Sequence, residues 1–596
     1  MYTQEVDLCR RLLREFYGPV VEAVATALLV NGRLHLGGLI AKAKLGAASV
    51  RQALVVLIQH GLVTHAASRE GSRSVTFYTA SLRSILRLQR SGLYLALMEE
   101  RVGKDGVAVF RSVMLNGCMA IGSVRDALGF KNLGAVEKQQ FNTAVAKLVR
   151  ERFITAVTAK DTVTMTDRVM QAEEEETRKV GTVPTAKELQ LIRRKINDRD
   201  EEEYLSSNIV GLKRQAPTSA SAADGRGAKS KIMVGPDGRP FLVNGNGEVS
   251  NGIDGVDGNG TQPDADADLI DDKQCFRVYH ERLDVLLRNK QIVNYFADRY
   301  NDGVAAIAKA ILRLTESHTK TCRHKLSETL SAQQIIRNVA PDTRLEDFVD
   351  MGGDLFWKGL DGGDGDGDGA ASGRAARGKA GFALLEILCA DVSGIVSMVD
   401  ERANGQYRVY FDRAAATLRD QSLDALILER FGSLHARIVR VLRSKHKLDE
   451  KTVSQLAMLP LTKTRERLHE LSLEGFVSTV EMPRAADRHP SRMVYLWYVN
   501  PVSQVAAALR CIFQGISNAI QRTDHENRMS AALVTKSKRD DVMADHSLLS
   551  PGELEALEAL RSARQKLDIA AIRLDGMLLV VHDIAPPVAG VSVGNR

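Results

Sequence analysis

Three aspartates near the middle of the chain have the spacing of a calcium-binding loop. Asp364, Asp366 and Asp368, followed by Gly369, match the opening of an EF-hand loop. That loop needs carboxylates at positions 1, 3 and 5 and a bidentate glutamate at position 12. Position 12 is Ala375, so the closing ligand is missing. The pattern therefore favours a flexible acidic insertion over a calcium site.

No other group of residues has the types and spacing of a catalytic site. The chain contains neither the GxxxxGK[ST] phosphate loop nor the HExxH zinc motif. Its six cysteines are scattered without CxxC spacing, which argues against a zinc site and is typical of a reducing compartment. We therefore expect a protein that is not an enzyme, with no catalytic residue, metal or cofactor.

The remaining chemistry is the binding of polyanions by basic side chains. In a helix-turn-helix the third helix enters the DNA major groove, and a β-hairpin wing reaches phosphates. Neither candidate third helix has the asparagine- and arginine-rich pattern that reads base edges, so we expect phosphate contact without sequence readout. The opposing interpretation is that these modules dock proteins. The predicted nucleic-acid-binding residues are Lys42, Lys44, Arg51, Arg69, Arg73, Lys463, Arg465, Arg484, Arg488 and Arg492, with Gln52 and Arg467 beside them.

The elements around the first basic segment have the order of a winged helix, which is a helix, a short strand, two helices and a hairpin. Apolar residues at helical spacing line one face of the third helix, and two strands flank a polar tip. The predicted elements are helices at 20–29, 39–45 and 49–60, and strands at 33–36, 62–65 and 75–78.

The end of this unit recurs along the chain. An apolar helix face is followed by the apolar start of a strand at Leu57–Val63, Leu148–Ile154 and Leu471–Val477. A further unit is predicted between Val278 and Leu418. Three similar endings indicate a repeated domain.

The sequence therefore predicts a mainly α fold with small β wings, made of four tandem winged-helix domains and a C-terminal antiparallel helical hairpin or coiled coil. Low-complexity stretches rich in glycine and aspartate bury too little apolar surface to fold. The predicted domains are winged helices at 1–81, 82–171, 273–418 and 419–500, a disordered acidic, glycine-rich linker at 172–272, a disordered insertion at 361–381, and the hairpin at 501–596.

Charge is distributed unevenly along the chain. The net charge is +7 overall, but it is +11 over residues 1–160, −8 over 161–272 and +5 over 421–510. Basic blocks on either side of an acidic one suggest modules that face polyanions, joined by an acidic linker. No apolar run is long enough for a membrane span, and the acidic N-terminus lacks a secretion signal pattern, so no membrane partner is expected.

Two amphipathic helices are predicted at the C-terminal end. Val505, Leu509, Ile512 and Ile516 form one stripe, and the capping box Ser550 to Glu553 opens a second helix. Two outcomes remain open at this level, because the helices either pack back on the last winged helix or dock on a partner.

Several blocks, taken in order, resemble one known family, the winged-helix subunits of eukaryotic RNA polymerase III that belong to its initiation heterotrimer. The resemblance covers nearly all of the predicted folded chain, but not the linker or the insertion. The blocks that carry it are Leu12–Gly18, Gln59–Val63, Met114–Gly117, Phe276–Asn301 with Arg299, Glu429–Gly432 and His489–Asn500.

The resemblance implies four winged helices and a coiled coil in a nuclear, non-catalytic subunit. It implies a stable complex with two smaller subunits, docking on the clamp of the largest polymerase subunit, and recruitment by an initiation factor. It also implies a role in promoter opening, with binding near single-stranded or downstream DNA. The alternative is a winged-helix scaffold subunit of another large assembly, without direct DNA contact.

Overall fold

A computed structural model of the chain describes residues 3–70, 73–129, 135–180, 185–206, 212–213, 231–234, 240–243, 269–270, 272–340, 343–348, 369–400, 405–483, 493–544 and 549–585. Within these ranges the protein is mainly helical, and its strands form small antiparallel sheets. The mainly α fold class predicted from the sequence is confirmed at this level.

The N-terminal unit follows a leading helix, α1 (Thr3–Tyr17). Its strands pair in the order β1-β3-β2, so the last strand of the hairpin lies in the middle of the sheet. Pro19 opens the first helix of the unit, where a missing N–H breaks no helical hydrogen bond. The elements are α2 (Pro19–Asn31), β1 (Leu34–His35), α3 (Leu36–Ala43), α4 (Ala47–Gln59), β2 (Val63–Glu70) and β3 (Arg73–Ala80).

A short helical connector leads into the second unit. It consists of α5 (Leu82–Leu86), a 3-10 turn (Arg87–Arg90) and α6 (Ser91–Val102). The unit itself then repeats the order of the first as far as one strand of its hairpin. Its elements are α7 (Lys104–Asn116), β4 (Cys118–Ala120), α8 (Ile121–Ala127), α9 (Ala135–Arg150) and β5 (Ile154–Ala156).

Two helices, α10 (Met165–Val180) and α11 (Ala186–Ser206), extend into the segment predicted to be disordered. They pack through Ala172, Ile192 and Ile196. The prediction of a disordered linker over 172–272 is therefore wrong for these helices, because a few apolar contacts between two long helices suffice to pair them. Short strands β6 (Leu212–Lys213), β7 (Lys231–Val234), β8 (Pro240–Val243) and β9 (Leu269–Ile270) pair as β6 with β9 and β7 with β8. Most of the remaining linker lies outside the described residues.

The sheet of the second unit is completed by a strand from beyond the linker. β10 (Cys275–Val278) lies between β4 and β5, where Phe276 pairs with Met119 on one side and Ala156 on the other. The sequence assigned these residues to the third unit, so the predicted boundary at 272/273 is wrong by this strand. Phe276 and Val278 are buried, and only the sheet of the second unit gives them a core.

The third unit begins after a long helix and has the sheet order β11-β13-β12. Its last helix starts at Gly369, inside the insertion predicted to be disordered over 361–381, so that prediction is wrong for the helical part. An alanine-rich run at 369–380 favours helix there, and residues 361–368 lie outside the described ranges. The elements are α12 (His280–Arg299), α13 (Asp302–Thr315), β11 (Leu330–Ser331), α14 (Ala332–Arg337), α15 (Gly369–Ala390), β12 (Val396–Asp400) and β13 (Gln406–Val409).

The fourth unit repeats the same order after the long helix α16 (Phe411–Phe431). In place of a short first strand, Leu448 forms a β-bridge with Trp497 of the last strand, which again puts that strand in the middle. The elements are α17 (Ser433–Lys445), α18 (Glu450–Ala457), α19 (Leu461–Glu474), β14 (Ser478–Pro483) and β15 (Met493–Tyr498).

The C-terminal part is helical and packs back on the protein. In α20 (Pro501–Met529) the predicted apolar stripe is buried in a core that it shares with the first and fourth units. Of the two outcomes left open by the sequence, packing back is therefore the one found for this helix. The chain continues through α21 (Ala531–Ser537), α22 (Asp540–Ala544), α23 (Pro551–Leu578) and a π-helical segment (Leu579–Ile584).

Two hydrophobic cores hold these elements together. One joins the second and third units and includes Phe110, Phe276 and Phe411. The other joins α1, the first unit, the fourth unit and α20, and includes Leu57 and Phe476. The first and last repeated units therefore share a core although they are far apart in the sequence.

Candidate nucleic-acid interface

The predicted basic residues of the first unit lie on an exposed face formed by α3 and α4. Helix α4 buries Val50, Leu54 and Leu57, and this turns Arg51 to the opposite, solvent-exposed side. Lys42 lies in the last turn of α3 and Lys44 follows it; both are exposed. The structure thus brings three predicted cations to one helix-turn-helix edge.

The backbone conformation of Lys44 sets the turn between α3 and α4. Its backbone has φ 53°, a left-handed conformation that ends α3 and lets the chain turn into α4. The side chains of Lys42, Lys44 and Arg51 form no ion pair or hydrogen bond with another residue of the described ranges. Their charges therefore remain available to an external anion.

The predicted wing residues of the first unit lie at the far end of its hairpin. β2 and β3 stay paired as far as Glu70 with Arg73, which puts Arg69 and Arg73 in the last rungs before the tip. The hairpin therefore extends eight residues on each strand, well beyond the core.

In the fourth unit the predicted cations of α19 are partly neutralised within the protein. Arg465 pairs with Glu450 of α18, and Arg467 pairs with Glu470 at 3.0 Å. Lys463 is exposed and has no side-chain partner among the described residues. Arg484, Arg488 and Arg492, predicted for the wing of this unit, lie outside the described residues.

The carboxylate of Glu470 is held by two hydrogen-bonding neighbours, His435 and Arg467, at the surface of α19. The Nε2 atom of buried His435 lies 2.6 Å from Glu470, and Arg467 donates to the same carboxylate at 3.0 Å. These hydrogen bonds, with that of His435 first, lower the pKa of Glu470 below its ordinary value. The outer face of α19 is consequently of mixed charge, which suits a phosphate backbone less well than the face of α4.

The first two units meet at the C-terminal end of α4. The side chain of Gln59 donates to the carbonyl of Asn116 at 2.8 Å. Gly117 has φ 77°, and a Cβ atom there would lie 2.7 Å from the carbonyl oxygen of Gln59. Two of the sequence blocks that resemble the polymerase family, 59–63 and 114–117, are therefore in direct contact.

A buried ionic cluster, not predicted from the sequence, joins three distant parts of the chain. We call Arg83, Arg87, Arg90, Glu281, Asp284, Asp575 and Asp583 the arginine cluster. Arg87 contacts Asp284 at 2.6 Å, and Arg90 contacts Asp583 at 2.6 Å and Asp575 at 3.0 Å. The spacing of the three arginines, four and then three residues apart, puts them on one helical face and is the sequence signal for this cluster.

In the arginine cluster, the pKa values of the buried carboxylates depend on the balance between burial and the arginines that pair with them. Burial alone would raise the pKa of Asp583, but Arg90, the hydrogen bond with His582, and Arg83 outweigh it and hold that pKa well below its ordinary value. For Asp575 burial prevails over Arg90, so its pKa is raised. Buried charges of this kind are tolerated only when paired. The cluster is therefore a structural junction rather than a binding site.

Within the described ranges no three histidine, cysteine, aspartate or glutamate side chains gather in a way that could hold a metal ion. A search of the same residues finds no helix with the length and apolar character needed to cross a membrane.

Family models match three parts of the chain. Residues 7–68 match the RNA polymerase III subunit RPC82 helix-turn-helix domain, 143–418 match RNA polymerase III subunit RPC82, and 423–499 match the POLR3C C-terminal winged-helix domain. The first match contains α3 and α4, and the third contains α17 to β15.

Relatives match along almost the whole length. The chain is similar to DNA-directed RNA polymerase III subunit rpc3 of Emericella nidulans, at 26% identity over 97% of this chain and 99% of the relative. It is also similar to the RPC3 subunits of Danio rerio, at 24% identity, and Rattus norvegicus, at 23% identity, each over 98% of both chains.

Proposed function

This chain belongs to the RPC3/RPC82 family of RNA polymerase III subunits, and from that premise we propose that it is a non-catalytic subunit that supports promoter-directed initiation and opening of promoter DNA. Its partners are the other subunits of RNA polymerase III, including two smaller subunits of an initiation heterotrimer and the clamp of the largest subunit, together with an initiation factor. It works in the nucleus.

In this proposal the four repeats of helix, strand, two helices and hairpin are four winged-helix domains, and α20 with α23 is the C-terminal helical hairpin. The recurring sheet order, with the last strand in the middle, supports the fourfold assignment. The contact of Gly515 in α20 with Leu574 in α23 supports the hairpin.

The exposed face formed by Lys42, Lys44 and Arg51 is the observation that carries DNA contact. Three cations without partners among the described residues, on the helix-turn-helix edge of a basic N-terminal unit, suit the phosphate backbone of single-stranded or downstream DNA. The paired state of Arg465 and Arg467 makes the third helix of the fourth unit a weaker candidate.

A transcription assay tests this function. Polymerase III assembled with the variant Lys42→Glu/Lys44→Glu/Arg51→Glu is compared with the unsubstituted enzyme on a promoter template and on a template with a single-stranded tail that bypasses promoter opening. We expect a loss of promoter-directed initiation with tailed-template transcription retained. Lys290→Glu, an exposed cation on α12, is the matched control. Equal losses on both templates, or no loss, would contradict the proposal.

The alternative of a scaffold subunit of another assembly is not supported by the RNA polymerase III matches, but a second candidate, a scaffold role within RNA polymerase III without DNA contact, is favoured by one feature of the fourth unit. Met458 is 85% exposed and Leu473 is 74% exposed, beside the internally paired arginines of α19. Such a face suits protein docking better than phosphate contact. An unimpaired triple variant that still copurifies with the large polymerase III subunits would select this alternative.

A further inference from the structure

A surface groove runs between α16 and α17. It has a volume of about 530 Å³, and its lining includes the apolar side chains of Leu428 and Val441, here called its floor, and the cations Arg437 and Arg440, here called its rim. Leu428 is 44% exposed, and its side chain lines the groove. The groove therefore offers an apolar surface that is left uncovered within the described part of the chain.

The length of the groove follows one face of α17. Its lining on this helix extends from Ser433 to Ser444, through positions that are alternately three residues and one residue apart. At 1.5 Å per residue this face is about 16 Å long, or three helical turns. A groove of this length matches a short helical segment of about three turns.

The charge of the groove is positive. Helix α17 carries Arg437, Arg440, Arg443 and Lys445 and no carboxylate. Asp424 pairs with Arg440 at 3.1 Å and with Arg443 at 2.9 Å, so one carboxylate serves two guanidinium groups.

Two of these arginines retain donors that the described residues do not satisfy. Arg437 makes a long hydrogen bond, 3.3 Å, to the carbonyl of Ala457, and this contact does not neutralise its charge. The Nη2 atom of Arg443 is buried without an acceptor in the described part of the chain. Of these two arginines only Arg437 lines the groove, and it has no carboxylate partner among the described residues, so electrostatic complementarity favours an occupant with negative charge.

The apolar floor distinguishes between two kinds of anionic partner. A nucleic-acid backbone offers phosphates but no aliphatic group to cover Leu428 and Val441. An amphipathic protein helix offers both, with apolar side chains at spacings of three and four and carboxylates on the flanks. The floor and the rim together therefore favour protein.

We propose that the groove between α16 and α17 binds an acidic amphipathic helical segment of another RNA polymerase III subunit, with apolar side chains on Leu428 and Val441 and carboxylates on Arg437 and Arg440. The proposal depends on membership of the polymerase and is independent of DNA contact by α4.

Photocrosslinking in the assembled polymerase tests the identity of the occupant. A benzophenone amino acid replaces Val441 in the groove, and in a separate protein it replaces Val55, which is 62% exposed on α4. We expect the probe at 441 to crosslink to a segment of another subunit that is rich in aspartate and glutamate, identified by mass spectrometry. Crosslinking to DNA, or no crosslink at 441, would overturn the proposal. The probe at 55 reports separately on DNA contact, so failure of one proposal is distinguished from failure of the other.

Charge reversal tests the role of the arginines. Arg437→Glu/Arg440→Glu should weaken retention of the acidic subunit about tenfold or more during a salt wash of the purified polymerase. Lys445→Glu, on the same helix but outside the groove, should leave retention unchanged. Leu428→Gln removes an exposed apolar side chain without adding a charge beside Asp424, four residues earlier on α16, and it should also weaken retention. Full retention of all subunits in both groove variants would overturn the proposal.

Discussion

The guanidinium group of Arg90 links the 3-10 turn after α5 to the end of α23 and the π-helical segment that follows it. It is fully buried, and it contacts two carboxylates, Asp575 and Asp583, that lie near the other end of the described chain. A buried ion pair contributes little net stability relative to apolar packing, but removal of one partner leaves the other charge unpaired in a medium of low polarity.

Arg90→Met should therefore destabilise the protein by about 3–5 kcal/mol. Protection of residues 575–584 against hydrogen exchange should fall with it. The measurement is the urea midpoint combined with hydrogen exchange. The control is Arg539→Met, since Arg539 is 63% exposed in its pair with Asp541 and its loss should cost less than about 0.5 kcal/mol. Similar urea midpoints for Arg90→Met and Arg539→Met would show that the arginine cluster does not hold these parts of the chain together.

Glu553 provides a pH-dependent contribution at the start of α23. Hydrogen bonds from Lys536, at 2.7 Å, and from the backbone of Ser550, at 2.9 Å, lower its pKa to about 2 from an ordinary value of 4.5. Because the pKa is depressed in the folded state, the stabilisation is complete above about pH 4.5 and is lost as the pH falls toward 2.

The melting temperature of Glu553→Gln should therefore lie below that of the unsubstituted protein at pH 6. The gap should close between pH 4.5 and pH 2, as the native carboxyl group becomes protonated. Thermal melting at a series of pH values checks this expectation. Glu555→Gln, an exposed change in the same helix, is the control, and a gap that persists unchanged down to pH 2 would contradict the role of the carboxylate.

At the scale of elements, the junction between the first two units depends on the absence of a side chain at Gly117. Gly117 and Gly103 both have positive φ, 77° and 86°, but only at Gly117 would a Cβ meet neighbouring backbone. Gly103→Ala therefore measures the conformational strain alone, and Gly117→Ala adds the clash with Gln59.

Gly103→Ala should cost about 1–3 kcal/mol, because φ 86° with ψ −178° is a conformation open essentially to glycine alone. Gly117→Ala should cost clearly more and should loosen the end of α4 by breaking the Gln59–Asn116 contact. Melting temperatures and hydrogen exchange over 56–63 measure both effects. Equal decreases in melting temperature for the two variants would mean that the backbone contact between residue 117 and Gln59 adjusts without an energetic cost.

The sequence predicted elements well where the signal was local. Turn residues, apolar periodicity and the Ser550–Glu553 capping box marked the helices and hairpins of the first and fourth units and the start of α23. It did not reveal that β10 completes the sheet of the second unit, because pairing across more than a hundred residues leaves no local pattern. The sequence indicated a charged helix at 185–204, which corresponds to α11, but it placed the end of α10 in the disordered linker because the acidic run at 173–176 resembles one.

The site was predicted only in part for a related reason. Exposed lysines and arginines at helix-turn-helix positions can be read from the sequence, and Lys42, Lys44 and Arg51 lie where the pattern put them. Whether a cation is already paired is a tertiary property. The ion pairs of Arg465 with Glu450 and of Arg467 with Glu470 join residues whose proximity depends on the packed fold.

At the scale of the whole molecule, the two hydrophobic cores pack the repeated units against one another. The first and fourth units share one core and the second and third share the other, while the arginine cluster links α5, α12 and the end of α23. The basic face of the first unit and the proposed groove of the fourth unit thus belong to one connected framework, in which one surface suits DNA and the other suits protein.

The salt dependence of DNA binding tests the central claim most directly. Each phosphate contact contributes about 0.9 to the slope of log K against log salt concentration on duplex DNA. Polymerase III carrying Lys42→Glu/Lys44→Glu/Arg51→Glu should therefore bind nonspecific duplex DNA with a slope reduced by about 2.7 if all three side chains contact phosphates. An unchanged slope in a fully assembled polymerase would contradict DNA contact by the first unit.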